Sequence, residues 1–147
     1  NFYYKKRGQN VAVMNIVPLQ KDWLMIGTAE GILLFDVKGG HFMSDTLSTA
    51  LHLLKPSALV RQGDCVYIGT ESGVYTYSLQ DGTLKKLGEF PTKARIHGIL
   101  CQMFNRIWIA TEGSGLYMYD IKAKKLKNYR YEDKASGLNS NYVRSLA

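Results

Sequence analysis

Hydrophobic and polar positions repeat along this chain in one order: an apolar run, a small polar turn and a second apolar run. The order occurs three times, in segments 23–36, 65–78 and 106–120. Equivalent turn positions lie 42 residues apart between Gly27 and Gly69, and 41 apart between Gly69 and Ala110. Short runs of β-branched and aromatic residues bounded by glycine turns predict β-strands. The sequence therefore predicts a repeated unit of about 40 residues built from short strands.

The first strand of each unit is apolar on both faces. In the second unit Val66 and Ile68 share one face and Tyr67 lies on the other. A strand of this kind must be covered on both sides. Four-stranded blades that are sandwiched between their neighbours meet this requirement at this period. The sequence predicts an all-β fold, a β-propeller fragment of about three four-stranded blades with partial strands at both ends.

Glycine turns mark the connections inside each unit. Gly31, Gly73 and Gly115 end the turn between the two apolar strands, and we expect positive φ angles there. Asp81 and Gly82 predict a hairpin to an outer strand. An inner strand is expected ahead of each unit, at 13–17, 58–60 and 96–100. We label the strands A to D from the propeller axis outward.

The blade boundaries follow from the period, and we assign blades to 12–46, 57–89 and 96–131. Residues 1–11 are assigned to the outer strand of a preceding blade and a linker, because 1–5 resembles 128–132. Residues 142–147 are assigned to the inner strand of the next blade. Such a fragment leaves open sheet edges and apolar faces. We therefore expect the remaining blades of a parent propeller as partners, from the same chain or another copy, and a homo-oligomer.

One segment, 45–54, is ambiguous. Leu47, Ala50, Leu51 and Leu54 follow the spacing of one face of a short helix. The fixed period instead favours an outer strand near 40–44 followed by a longer loop, which is the interpretation we prefer.

Composition and motifs narrow the functional classes. The 147 residues are 46% hydrophobic with a net charge of +7, and no apolar run is long enough for a membrane helix. The basic residues are spread along the chain, so we expect a solvated surface, no nucleic acid and no direct membrane contact. The sequence contains no serine-hydrolase, zinc-protease or phosphate-loop motif. We expect no enzymatic activity and no cofactor.

The two cysteines, Cys65 and Cys101, lie within apolar strand runs. We interpret them as buried free thiols, with a disulfide or a metal site as alternatives. The three histidines do not have the spacing of zinc ligands around them, so no metal site is expected.

The third unit resembles the two-component regulator propeller repeat. The matching residues are Ile107-Trp108-Ile109-Ala110-Thr111 and Gly115-Leu116-Tyr117-Met118-Tyr119-Asp120, although Ala110 and one extra turn residue depart from the pattern. The linker of that family is similar to 137–143. The resemblance implies a periplasmic sensor region of a hybrid two-component kinase, as found in Bacteroides-type bacteria, that detects an oligosaccharide and signals to a kinase outside this chain. A scaffold for protein–protein contacts is the alternative.

Propellers commonly bind ligands where the D–A and B–C connections meet. The D–A connections supply the candidate ligand-binding residues Arg95, His97, Asn141 and Arg144, and Asn139 and Asn141 have the alternative role of shaping the interblade turn. The B–C turns add Glu30, Glu71 and Glu112. Because arginine binds carboxylate and sulfate groups bidentately, an acidic oligosaccharide is a further expectation. The three glutamates oppose it.

Overall fold

The computed structural model describes residues 3–6, 9–44, 46–87, 90, 95–102 and 105–130. These residues form strands β1 to β13 and one helix, α1, arranged in three antiparallel sheets that follow one another along the chain. Each sheet is a meander in which consecutive strands are neighbours. Short glycine-containing turns connect them, because antiparallel neighbours need only a tight turn.

The first sheet, blade 1, has five strands: β1 Tyr3–Lys6, β2 Gln9–Pro18, β3 Trp23–Thr28, β4 Gly31–Asp36 and β5 His41–Phe42. Helix α1, Thr46–His52, follows. The second sheet, blade 2, consists of β6 Pro56–Gln62, β7 Cys65–Thr70, β8 Gly73–Ser78 and β9 Leu84–Lys86. The third sheet, blade 3, consists of β10 Ile96–Gln102, β11 Arg106–Thr111, β12 Leu116–Asp120 and β13 Lys125–Tyr129.

Two hydrophobic clusters hold the three sheets face to face. Cluster one fills the interface of blades 1 and 2 and includes Met25, Ile32, Leu34, Val66, Ile68 and Tyr77. Cluster two fills the interface of blades 2 and 3 and includes Tyr67, Val74, Ile99, Ile107, Ile109, Tyr117 and Tyr119. Successive residues of β7 therefore enter different clusters, as alternation along a strand requires. The predicted β-propeller architecture is confirmed.

The end blades each have one covered face and one open face. In blade 1, Met25 is fully buried against blade 2, whereas Leu24 and Ile26 on the other face are only half-buried. In blade 3 the covered face is the other one: Ile107 and Ile109 are fully buried against blade 2, whereas Trp108, which is equivalent to Met25, is half-buried. Each end blade therefore presents one apolar face that the described part of the chain leaves half-buried.

Strand β1 pairs with β2 at the inner edge of blade 1, where Tyr3 lies opposite Ala12. The sequence analysis assigns this segment to a preceding blade. In the structure the backbone of this segment pairs with the free edge of β2, since an exposed strand edge presents unpaired groups that a nearby strand can satisfy. The assignment to a preceding blade stays a prediction, and the inner strand expected at 142–147 lies outside the described residues.

The segment after β5 forms the short helix that was one of the two interpretations of 45–54, and not the one that we preferred. The outer strand expected near 40–44 is present as β5. The prediction of a longer loop after it is wrong, since 46–52 is helical. Leu51 is fully buried in cluster one, and Leu47 and Leu54 pack against it. The helix forms because its apolar face covers the outer part of the interface between blades 1 and 2.

Glycine at the end of the B strand allows the next blade to approach closely. A Cβ atom on Gly69 would lie 2.6 Å from Cγ2 of Ile96, the first residue of the inner strand of blade 3. Gly27 has the same role toward Leu59 of blade 2, at 3.0 Å from Cδ1. The B strand of one blade and the inner strand of the next can therefore approach closely, because the B strand has no side chain at this point.

We predict that Gly69→Ala destabilises the chain by about 1–3 kcal/mol, because the added methyl group overpacks the contact with buried Ile96. Gly98→Ala is the matched control, since a Cβ there meets nothing within 4 Å, and it should change stability by less than about 0.5 kcal/mol. Denaturant unfolding of the three proteins measures the difference. Equal destabilisation by both substitutions would contradict the close approach.

Gly73 has a φ of +124° at the end of the B–C turn, which confirms the predicted positive φ. We predict that Gly73→Val costs about 1–3 kcal/mol, because a β-branched residue is strained at this backbone angle. Glu71→Val in the same turn is the control, since Glu71 is exposed and is not among the positive-φ residues. Thermal unfolding that shows the same loss for both variants would refute the backbone explanation.

Candidate functional site

A β-bulge occurs at the same place in each inner strand. The register between strands A and B shifts between Val13 and Asn15, between Pro56 and Ala58, and between Ile96 and Gly98. The residues left over are Met14, Ser57 and His97. Bulges redirect a side chain and are frequent beside functional sites. These three positions lie next to the B–C turns, and we call the bulged residues together with those turns the upper rim.

Each B–C turn is organised by a buried threonine. The hydroxyl of Thr28, Thr70 or Thr111 donates to the carbonyl of the following glycine, at 2.7, 2.9 and 2.6 Å. The same hydroxyl oxygen accepts a backbone N–H from within the turn, at 3.3, 3.1 and 3.2 Å. A buried threonine therefore makes the same two kinds of contact in all three turns, although the turn of blade 3 is one residue longer.

Blade 3 brings three predicted residues together on the upper rim. The Nε2 atom of His97 lies 3.7 Å from Oε2 of Glu112, and the side chains are 29% and 49% exposed. The backbone N–H of Glu112 donates to the carbonyl of Arg95 at 2.9 Å. Arg95 is exposed. An imidazole and a carboxylate therefore lie side by side at the solvent boundary. The exposed Arg95 is next to them through its backbone, and the three residues can donate to and accept from a polar ligand.

The rim differs from blade to blade. In blade 2 the bulged residue is Ser57, whose hydroxyl donates to the carbonyl of Gly69 at 3.3 Å. In blade 1 it is Met14, which is 48% exposed. Glu30 and Glu71 are exposed on their turns. Sequence reasoning missed Met14 and Ser57, although aligning the inner strands places both at the position of His97.

Three further predicted positions, Asn139, Asn141 and Arg144, lie outside the described residues. The linker at 137–143 lies there as well. The structure therefore describes the Arg95 and His97 part of the predicted site.

A cavity of about 380 Å³ lies at the opposite, lower end, between blades 1 and 2. Its lining includes Trp23 and Tyr77, but the ammonium of Lys21 lies over the Trp23 ring, 5.3 Å from its centre. Hydrogen bonds from Thr83 engage the carboxylate of Asp81 and lower its pKa. In this cavity Lys21 and Asp81 already contact protein groups, whereas the Arg95 side chain on the upper rim is exposed.

The described residues contain no cluster of three His, Cys, Asp or Glu side chains that would hold a metal ion. In the same part of the chain, no helix has the length and apolar character needed to cross a membrane. The two cysteines are free thiols and are half-buried rather than fully buried.

No family model and no curated protein sequence matches the chain. Solved structures do match. The extracellular domain of BT4673 from B. thetaiotaomicron, described as a hybrid two-component system, superposes with a TM-score of 0.73 at 20% identity, covering 96% of this chain and 19% of that one. A second structure of the same domain gives a TM-score of 0.69 at 20% identity, covering 88% and 18%. PorZ of the type-IX secretion system of Porphyromonas gingivalis gives 0.64 at 18% identity, covering 92% and 23%.

The chain spans only about a fifth of the length of these structures. At such identities the likeness shows the fold. The fold is a run of propeller blades. Both BT4673 structures are of an extracellular domain.

We predict that Thr111→Val lowers the stability of the chain by about 1–3 kcal/mol, because the buried hydroxyl loses two hydrogen bonds in the turn that carries Glu112, one to the carbonyl of Gly115 and one from the backbone N–H of Ser114. Thr76→Val is the control: its hydroxyl makes one long contact, 3.5 Å from the carbonyl of Lys85. It should change stability by less than about 0.5 kcal/mol. Chemical denaturation compares the two. If Thr111→Val left the free energy of unfolding unchanged, the hydroxyl would not be what organises the turn.

Proposed function

We propose that this chain is part of the periplasmic ligand-sensing propeller of a hybrid two-component regulator. In this role the upper rim binds an oligosaccharide without converting it, and a kinase elsewhere in the parent protein receives the signal. The likeness to extracellular domains of two-component systems supports the sensor role. The propeller scaffold suits it, because rigid blades hold variable rim residues in constant positions.

The observation that carries the ligand proposal is the cluster of Arg95, His97 and Glu112. Sugar hydroxyl groups are both donors and acceptors, so their binding needs both kinds of partner. The guanidinium donates, the carboxylate accepts, and a neutral imidazole does either. The exposed thioether of Met14 and the hydroxyl of Ser57 extend the rim along blades 1 and 2.

We further propose that other blades of the parent propeller cover the two open faces. On blade 1 this face carries Ile16 and Phe42, which are 50% and 42% exposed, together with half-buried Leu24 and Ile26. On blade 3 it carries half-buried Trp108. Apolar faces of this size favour coverage by protein. A blade from another copy of the chain is the alternative cover.

The acidic character of the ligand is a narrower part of the proposal. The net charge of +7 and the exposed guanidinium of Arg95 favour an anionic sugar. The carboxylates of Glu30, Glu71 and Glu112 on the same rim oppose it. Titrations with neutral and with acidic oligosaccharides test separately whether the rim binds an oligosaccharide and whether it prefers an acidic one.

We predict that the extracellular region of the parent protein binds oligosaccharides in a calorimetric titration. Arg95→Ala and His97→Ala should each weaken binding by about tenfold, since leaving a polar group of the bound ligand without its hydrogen-bond partner costs about 1–3 kcal/mol. Arg106→Ala is the matched control, because Arg106 is exposed at the lower end of β11, where it pairs with Gln102 and Asp120. It should leave the affinity unchanged.

Neutral and acidic oligosaccharides are titrated in parallel. Tight binding of a neutral sugar that is insensitive to Arg95→Ala would overturn the acidic preference alone. Equal effects of Arg95→Ala and Arg106→Ala would exclude the upper rim as the binding site. Binding of no oligosaccharide at all would overturn the proposed function and favour the scaffold alternative.

A further inference from the structure

The two cysteines lie on facing sides of the interface between blades 2 and 3. Cys65 is two residues before Tyr67 on β7, so it shares the side of the sheet that faces blade 3. Cys101 is two residues after Ile99 on β10, so it shares the side that faces blade 2. Both thiols pack against cluster two. Strand alternation thus directs the two thiols toward each other.

The two thiols also lie at the same end of the interface. Cys65 is the first residue of β7 and pairs with Gln62, the last residue of β6. Cys101 is the next-to-last residue of β10 and pairs with Ile107, the second residue of β11. Both positions are therefore beside the A–B hairpins, at the lower end of their blades.

The local interactions place the thiols in one small cluster. The hydroxyl of Tyr67 is hydrogen-bonded to the thiol of Cys65, and Tyr67 is close enough to Cys101 and Tyr119 for electrostatic interaction with both. Burial raises the pKa of both thiols, and the neighbouring Cys65 contributes to raising that of Cys101 to about 11. Each thiol is thus within electrostatic range of the other.

We propose that Cys65 and Cys101 form a disulfide that joins blade 2 to blade 3 under oxidising conditions. Both are free thiols in this structure. Disulfide formation needs the two Cβ atoms about 4 Å apart, a separation that is set by the approach of the β7 and β10 backbones at the lower end of the interface. The bond would fix the lower end of β10 to blade 2, and His97 lies at the upper end of the same strand.

The oxidant is a disulfide-bearing donor, such as oxidised glutathione or a thiol oxidase. One cysteine thiolate attacks a sulfur of the donor, which releases one donor thiol and leaves a mixed disulfide. The second thiolate then attacks the protein sulfur of that mixed disulfide and releases the second donor thiol. The protein loses two protons and two electrons, and the donor disulfide gains them.

The reaction should be slow at neutral pH, because the thiolate is the nucleophile and both thiols are held protonated. Below the pKa of Cys101, the thiolate fraction rises about tenfold for each pH unit. We therefore expect the rate of bond formation to increase steeply between pH 7 and pH 9.

The experiment exposes the folded full chain to oxidised glutathione and follows thiol content, peptide mass and thermal stability. We expect both thiols to be lost, a single peptide that links Cys65 to Cys101, and a mass loss of two hydrogen atoms. A closed loop of this length should raise Tm by roughly 10 °C. A thiol reductant should reverse the shift.

Cys65→Ser and Cys101→Ser are the matched controls, and each should retain one thiol without any rise in Tm. The wild-type comparison with and without reductant needs no variant, so it tests the proposal even if a variant folds poorly. Two thiols that remain free after prolonged oxidation at pH 9 would overturn the proposal. Separate glutathione adducts on the two cysteines, or links between chains in place of the internal one, would overturn it as well.

Discussion

The B strand of each blade is apolar on both faces, and the rest of the structure depends on covering both. In blade 2 this is achieved: Val66 and Ile68 are fully buried toward blade 1, and Tyr67 is 4% exposed toward blade 3. The cost of leaving such a face in water is about 25 cal/mol for each Å² of apolar area. This free energy favours face-to-face stacking of the sheets. Each end blade keeps one apolar face that is only half-buried.

The blades approach closely at the upper end of each interface because the B strand carries a glycine there. Gly27 and Gly69 leave room for the inner strand of the next blade. The bulges at Met14, Ser57 and His97 lie at the same height. The close approach of the blades is therefore at the same end as the upper rim, which consists of the bulged residues and the B–C turns. The blade interiors repeat one pattern, whereas the three bulged residues differ in size, polarity and charge. The repeated part maintains the fold, and the differing part gives the rim its chemical character.

The two ends of blade 3 have different chemistry on the same strand. At the upper end of β10, His97 is partly exposed and lies beside Glu112. At the lower end, Cys101 packs against cluster two and faces blade 2. A strand of seven residues is nearly rigid over its length when it is paired and packed. The packing of β10 against blade 2 therefore also affects where His97 lies on the upper rim.

The sequence by itself determined the strands, their order and the glycine turns, because alternation and turn chemistry are local properties that a repeat shows three times over. It also placed Arg95, His97 and Glu112 on one rim, since a fixed period puts equivalent connections at the same end. Only the tertiary structure decided that 46–52 is a helix, because Leu51 gains its stability from burial in cluster one. It likewise decided the pairing of β1 and the bulges at Met14 and Ser57. These features depend on which surfaces are left to cover and on how two strands align, and neither is encoded in a short stretch of residues.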